Sequence, residues 1–129
     1  MEKIKEFEAH KDFIRWITVH PTLPYILSSS DDAHIKVWDY EKEFKLFKDY
    51  ESHKHYVMMT TINPRDPNTF ASACLDRTVK CWNLVSNTLQ ANYTLKGHKN
   101  GVNCVDYFKG DKPYLASGAD EGAIIIWDY

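Results

Sequence analysis

Several things are scarce in this sequence, and each scarcity removes a class of function. Only five glycines occur in 129 residues, all between Gly97 and Gly122 and none in a glycine-rich run, so no backbone cradle for a nucleotide phosphate is written into it. The three cysteines, Cys74, Cys81 and Cys104, are odd in number and lack Cys-x-x-Cys spacing, which excludes a disulfide framework and a cysteine-based zinc cluster. All three fall in runs that read as strands and are expected to be reduced core thiols in a cytosolic protein. The sequon at Asn92-Tyr93-Thr94, also placed in a strand, then never meets the glycosylation machinery. No stretch resembles a signal peptide, and no apolar run reaches the roughly 18 residues of a membrane-crossing helix. Sixteen basic residues face eighteen acidic ones, for a net charge of −2 and a pI near 6.3, with no basic run. Broad binding to nucleic acid or to anionic membrane is therefore not expected. Helical hydrophobic periodicity is missing as well.

What the sequence does contain is a repeat. Trp38, Trp82 and Trp127 are 44 and 45 residues apart, and each is followed by Asp or Asn, in "VWDY", "CWNL" and "IWDY". Ten residues before each Trp stands a serine (Ser28, Ser72, Ser117), and six before stands an acid (Asp32, Asp76, Glu121). His10, His53 and His98 open the units, 28, 29 and 29 residues ahead of their tryptophans. Between these anchors lie short runs rich in β-branched and aromatic residues, divided by turn signals such as "HPTLP", "NPRDPN" and "GDKP". Each unit parses as a strand after the His, a second strand ending in the Ser-to-acid turn, a third ending at Trp, and a more variable fourth. Repeats of this length, four antiparallel strands each, with a His start and a Trp-Asp end, resemble the WD40 β-propeller family. The expected fold is all-β: three four-stranded antiparallel blades of a partial propeller. The expected units are 10–52, 53–97 and 98–129, with 1–9 as the last strand of a preceding blade.

The four anchors account for one another. An imidazole can donate to the acid of the turn and accept from the serine hydroxyl, while the same serine oxygen accepts the indole N–H, so one buried network satisfies every member. Ser, His and Asp are also the residue types of a hydrolase triad. The set occurs three times at equal spacing, however, and one chain has no need of three identical active sites, so the network is read as structural and the protein as no enzyme. Glu121 departs from the pattern: its extra methylene has to fit a turn that suits Asp better. His53-Lys54-His55 brings two imidazoles together, but His53 belongs to the network and no further ligand stands at metal spacing, so neither a metal nor a cofactor is expected.

One acid is left over. In "SSSDDAHIKVWDYEKE", Asp32 is the network acid, and Asp31 is additional, with Leu75 and Asp120 as its counterparts. Two residues past each opening His stand Asp12, His55 and Asn100, and Tyr56 follows His55. Loops of successive blades converge at the mouth of a propeller's channel. Asp12, Asp31, Asp120 and Tyr56 there would form either a solvated rim or an acidic, aromatic-edged site suited to ammonium groups.

The runs "FEAHKDFIRWITVHPTLPYILSSSDDAHIKVWDYEK", "NPRDPNTFASACLDRTVKCW" and "GVNCVDY" closely resemble the first propeller of the coatomer β′ family, subunits of the COPI coat on vesicles returning from Golgi to endoplasmic reticulum. The resemblance implies a non-enzymatic coat component that is cytoplasmic and peripheral on Golgi membranes, with other coatomer subunits as partners and dilysine motifs at cargo C-termini as ligands. It also implies that Asp12, Asp31 and Asp120 hold the lysines and that Tyr56 lines the pocket. The family's propeller has seven blades, and the basic residues that take the terminal carboxylate lie in blades absent here; Arg15 is not a matching substitute. The alternative is a WD40 scaffold of another complex, such as a ubiquitin-ligase or signalling adaptor, that uses the same face for a different peptide.

The ends of the sequence raise a last expectation. "EKIKEFEAH" reads as a fourth strand without its blade, and "AIIIWDY" as a third strand without its fourth, which leaves two edges to cover. Two copies joined head to tail would give six blades, with Lys3–Glu8 of one pairing with Ala123–Trp127 of the other. An open fragment is the other possibility.

Overall fold

In the computed structural model, which describes residues 1–129, eleven strands form three antiparallel sheets. The first sheet runs β1 (Ile14–Val19), β2 (Tyr25–Ser30), β3 (Ile35–Asp39) and β4 (Lys45–Tyr50). The second runs β5 (Val57–Ile62), β6 (Thr69–Cys74), β7 (Thr78–Asn83) and β8 (Tyr93–Lys96). The third has three strands, β9 (Val102–Tyr107), β10 (Tyr114–Ala119) and β11 (Ile124–Asp128), with no segment paired to the outer edge of β11, in keeping with the third strand without its fourth read from "AIIIWDY". Each sheet is a meander of sequence-adjacent strands, joined by turns or by loops of no more than nine residues. A single 3-10 turn, Tyr40–Lys42, interrupts the strands and is capped by the Asp39 carboxylate accepting the Glu41 N–H.

The blades stack face to face, and two cores lie between them. Leu27, Ile35, Val37 and Tyr50 of the first blade interlock with Val57, Phe70, Cys74, Trp82 and Leu84 of the second. On the opposite face of the second blade, Ala71, Ala73 and Val79 meet Val102, Val105, Tyr107 and Leu115 of the third. Each fully buried large side chain stabilises the stack by about 1.5–3 kcal/mol. The second blade is therefore covered on both faces, whereas the first and third have one covered face each.

The uncovered faces explain two departures from expectation. Cys104 is exposed, not a core thiol, because it lies on the free side of the third blade near Ile124 and Ile126, which are 74% and 51% exposed. Cys74 is buried as expected, and Cys81 is half-buried. Residues 1–9 form no strand, since the single chain offers them no ladder. They do occupy the place of one. Phe7, three residues before His10, packs edge-on against Trp38 at 5.0 Å and 60°; Tyr50, three residues before His53, meets Trp82 at 5.0 Å and 59°. Asn92 lies just outside β8, not within it.

Candidate peptide-binding rim

The Ser-to-acid turns set the geometry of one end of the blade stack. Ala33, Arg77 and Gly122 each donate N–H to the carbonyl three residues back (Ser30, Cys74 and Ala119) and adopt φ of 71°, 74° and 80°. Only Gly122 lacks the Cβ that disfavours left-handed backbone. Directly before these residues stand the network acids. His10 Nδ1 lies 2.9 Å from Asp32 Oδ2 and Nε2 lies 2.7 Å from Ser28 Oγ, which also accepts Trp38 Nε1–H at 2.9 Å. In the second blade, His53 stands 2.9 Å from Asp76 and 2.6 Å from Ser72, and Trp82 donates at 2.9 Å. In the third, the distances are 2.6 Å (His98 to Glu121), 2.7 Å (to Ser117) and 2.8 Å (Trp127 to Ser117).

The longer Glu121 thus reaches its histidine. It gives up something else: Asp32 and Asp76 accept the N–H of His34 and Thr78 two residues on, and Glu121 captures no such turn donor. Burial pulls His10 and His53 below the ordinary imidazole value, so both rings are neutral at pH 7. That fixes the roles: Nδ1–H donates to the carboxylate, Nε2 accepts the serine hydroxyl, and the serine oxygen accepts the indole. Burial would push Asp76 up, but hydrogen bonds from His53 and Thr78 outweigh it and hold the carboxyl well below the usual range. The Glu121 carboxyl is held down chiefly by His98. Ser28, Ser72 and Ser117 are 3%, 0% and 2% exposed, and each hydroxyl is engaged on both sides. No substrate carbonyl can reach them.

The inner strands carry a second repeated device. The β1–β2, β5–β6 and β9–β10 ladders each skip one residue, at Arg15, Met58 and Asn103. A bulge re-aims the side chain of the extra residue, and in two blades its partner is the leftover acid. Arg15 clasps Asp31 with Nε to Oδ1 and Nη2 to Oδ2, both at 2.6 Å, and Asn103 donates its amide to Asp120 Oδ1. In the second blade the same two positions hold Met58 and Leu75. Backbone confirms the equivalence: the N–H groups of Asp31, Leu75 and Asp120 donate to the carbonyls of Phe13, Tyr56 and Gly101. Gly101 passes close to the second blade here: a Cβ would stand 2.7 Å from Leu75 Cδ2 and 3.1 Å from Leu75 Cα.

Arg15 is the centre of this rim. Its guanidinium carbon lies 5.7 Å from the ring centroids of both Phe13 and Tyr56, and hydrogen bonding to Asp31, with the charge of Asp12 adding, holds it firmly protonated. Asp12, Asp31 and Tyr56 thus gather around one cation. Asp120 does not join them; it stands at the third blade's bulge, with Gly101 and Leu75 between. The side chain of Asp31 is only 4% exposed, whereas Asp12 and Asp120 are open to solvent. Sequence reasoning missed Arg15 and Asn103 as partners of the leftover acids. Their signal is faint: a polar residue five past the opening His in the blades that carry the acid, and Met58 in the blade that carries Leu75.

No metal centre emerges at His53. Cys74 and Asp76 do come within reach of it, but both ring nitrogens are committed, and burial pushes the Cys74 thiol up to about 12. No helix is long and apolar enough to cross a membrane.

Comparison with known proteins agrees with this architecture. A 93-residue stretch covering 71% of the chain is 59% identical to coatomer subunit beta'-2 of Arabidopsis thaliana, and an 84-residue stretch covering 64% is 56% identical to coatomer subunit beta' of Homo sapiens. Coatomer subunit beta' of Drosophila melanogaster is 70% identical over 57 residues, 43% of the chain. These stretches cover 10%, 9% and 6% of the respective relatives, so the chain spans about a tenth of their length or less. The pattern described as "WD domain, G-beta repeat" matches residues 1–39, 44–83 and 89–128, each match ending at the Asp or Asn that follows a repeat Trp. The chain belongs to the WD40 repeat family.

Proposed function

We propose that the chain is part of a non-enzymatic COPI coat subunit that works with other coatomer subunits in the cytoplasm, peripheral on Golgi membranes, and binds dilysine tails of cargo for retrieval to the endoplasmic reticulum. The observation that carries the reading is the rim itself: Asp12, Asp31 and Tyr56 around Arg15, with Asp120 one blade further on, in a chain similar to coatomer β′. Carboxylates held by a rigid bulge suit ammonium groups. Arg15 tempers the site, because a lysine approaching Asp31 must share it with a guanidinium already in bidentate contact. Asp12 and Asp120 are thus the freer acids.

Fluorescence anisotropy with a tail peptide carrying two lysines tests this, in a propeller completed by the remaining blades and in the 129-residue chain. The completed propeller binds the peptide and not its double-alanine control, and the short chain binds weakly. Equal binding of both peptides favours the alternative, a scaffold of another complex that recognises a different peptide on the same face.

The edges of the stack support self-association of the chain by itself. Phe7 already sits on Trp38 as Tyr50 sits on Trp82, so residues 1–9 are held where a fourth strand runs, with their ladder groups free. By the register of β3 with β4, Phe7 of one copy falls opposite Ile124 of the other, closing a six-bladed ring. Light scattering that gives a monomer at micromolar concentration rejects the ring, and a dimer that survives deletion of residues 1–9 rejects the exchange.

A further inference from the structure

The cleft between β7, β8 and the loops opening the second and third blades carries positive charge without matching negative charge. Two adjoining cavities of about 520 and 340 Å³ share Lys54, Asp76, Thr78 and Lys96 as walls, with Arg77 on the first and Lys80 on the second. None of the four cations is in an ion pair. Asp76 is the one carboxylate in the lining, and it is consumed by His53, by the Thr78 N–H and hydroxyl, and by the Lys54 N–H. Thr94, beside Lys80, accepts its ammonium at 3.0 Å.

The first blade has the same backbone frame with the opposite charge. Ladder register matches Lys36 to Asp49 there and Lys80 to Thr94 here. Lys96 is replaced by Glu51, Arg77 by Ala33 and Thr78 by His34, whose Nδ1 stands 2.7 Å from Asp49. Two cations, Lys11 and Lys36, then face three acids, Asp32, Asp49 and Glu51; in the second blade four cations face one committed acid. A frame that tolerates either balance does not demand the basic one, and a cleft concentrates the field of charges gathered in it.

We propose that this cleft binds a phosphate dianion, carried either by a phosphorylated side chain of a partner or by a small soluble phosphate compound. Arg77 offers a planar fork to two phosphate oxygens, and Lys54, Lys80 and Lys96 act as point charges around it. The site lies between the second and third blades, adjoining the rim at His55 and Leu75, and does not depend on the cargo reading.

Calorimetric titration of the 129-residue chain with inorganic pyrophosphate tests the site, with Arg77→Gly/Lys96→Glu as the variant. Glycine suits the left-handed turn that Arg77 occupies, as Gly122 does in the third blade, so the turn is kept. The control is Lys109→Glu/Lys112→Ala, which makes the same change in net charge outside the cleft. Pyrophosphate binding should weaken at least tenfold in the cleft variant and less than twofold in the control. Binding of a phosphoserine peptide, but not of its serine form, assigns the phosphate to a partner protein; binding of pyrophosphate alone assigns it to a soluble compound. Equal weakening in both variants, or no binding by the wild-type chain at millimolar pyrophosphate, overturns the proposal.

Discussion

The second and third blades contain the same hydrogen-bonded network to within 0.3 Å in each distance, yet they differ in how deeply it is buried. Trp82 is fully buried, under Tyr50 and Phe70, while Trp127 is only half-buried, on a blade with one open face. Polar geometry is thus set within a blade by four residues at fixed spacing, and burial is set by the neighbours. The two contributions separate by mutation. Trp82→Ala removes a fully packed indole and leaves its serine without a donor, at a cost of about 3–5 kcal/mol. Trp127→Ala removes a half-buried one and should cost roughly 1–2 kcal/mol. Chemical denaturation of the two variants measures the gap, and equal losses would mean that the network, not the packing, dominates.

The histidine comes next. His53→Ala leaves Ser72 and Asp76 without their partner in a buried setting and should cost on the order of 1–3 kcal/mol. An unchanged melting temperature would show that the network contributes nothing to stability.

These networks were the most legible part of the sequence, because polar residue types at equal spacing survive in a one-dimensional reading. The blades followed from them, and so did the turns. The rim was legible only in part. Asp31 and Asp120 stood out by alignment of the repeats, but a bulge shifts the side-chain phase by one residue, so Arg15 and Asn103 read as ordinary strand positions facing elsewhere. Nor could alternation tell which face of a blade would be covered. That depends on the number of blades, and it is why Cys104 was expected in a core and lies in the open.

Acid acts on the networks of the first two blades. His10 and His53 are held below the ordinary value of 6.5, so the unfolded chain takes up protons there that the folded chain refuses. The stability they contribute is fully present above pH 6.5 and is lost as pH falls from there toward their folded values. Asp32 and Asp76, also lowered, add a second loss below 3.8. In melting curves from pH 8 to pH 5, the wild type should lose stability below 6.5, and His53→Gln should flatten that slope in part. A slope unchanged by the substitution would assign the loss to another group.

The smallest expected effect falls on the first blade, whose Trp38 is covered by Phe7, where Trp82 is covered by Tyr50 of a neighbouring blade. The ring geometries of Phe7 on Trp38 and Tyr50 on Trp82 are the same, but their anchoring differs. Tyr50 is fixed by the β3–β4 ladder and by its hydroxyl, which donates to the Asn83 carbonyl at 2.8 Å. Phe7 has no ladder and is 42% exposed. Phe7→Ala should therefore cost only about 0.5–1.5 kcal/mol, the scale of an aromatic pair. Its local signature should be sharper than that loss suggests. The Trp38 indole N–H, bonded to Ser28 beneath Phe7, should exchange with solvent deuterium faster in the variant, while the Trp82 and Trp127 indoles keep their rates. A Trp38 rate indifferent to the substitution would mean that residues 1–9 only lie near the blade, and the likeness of Phe7 to Tyr50 would then have no energetic content.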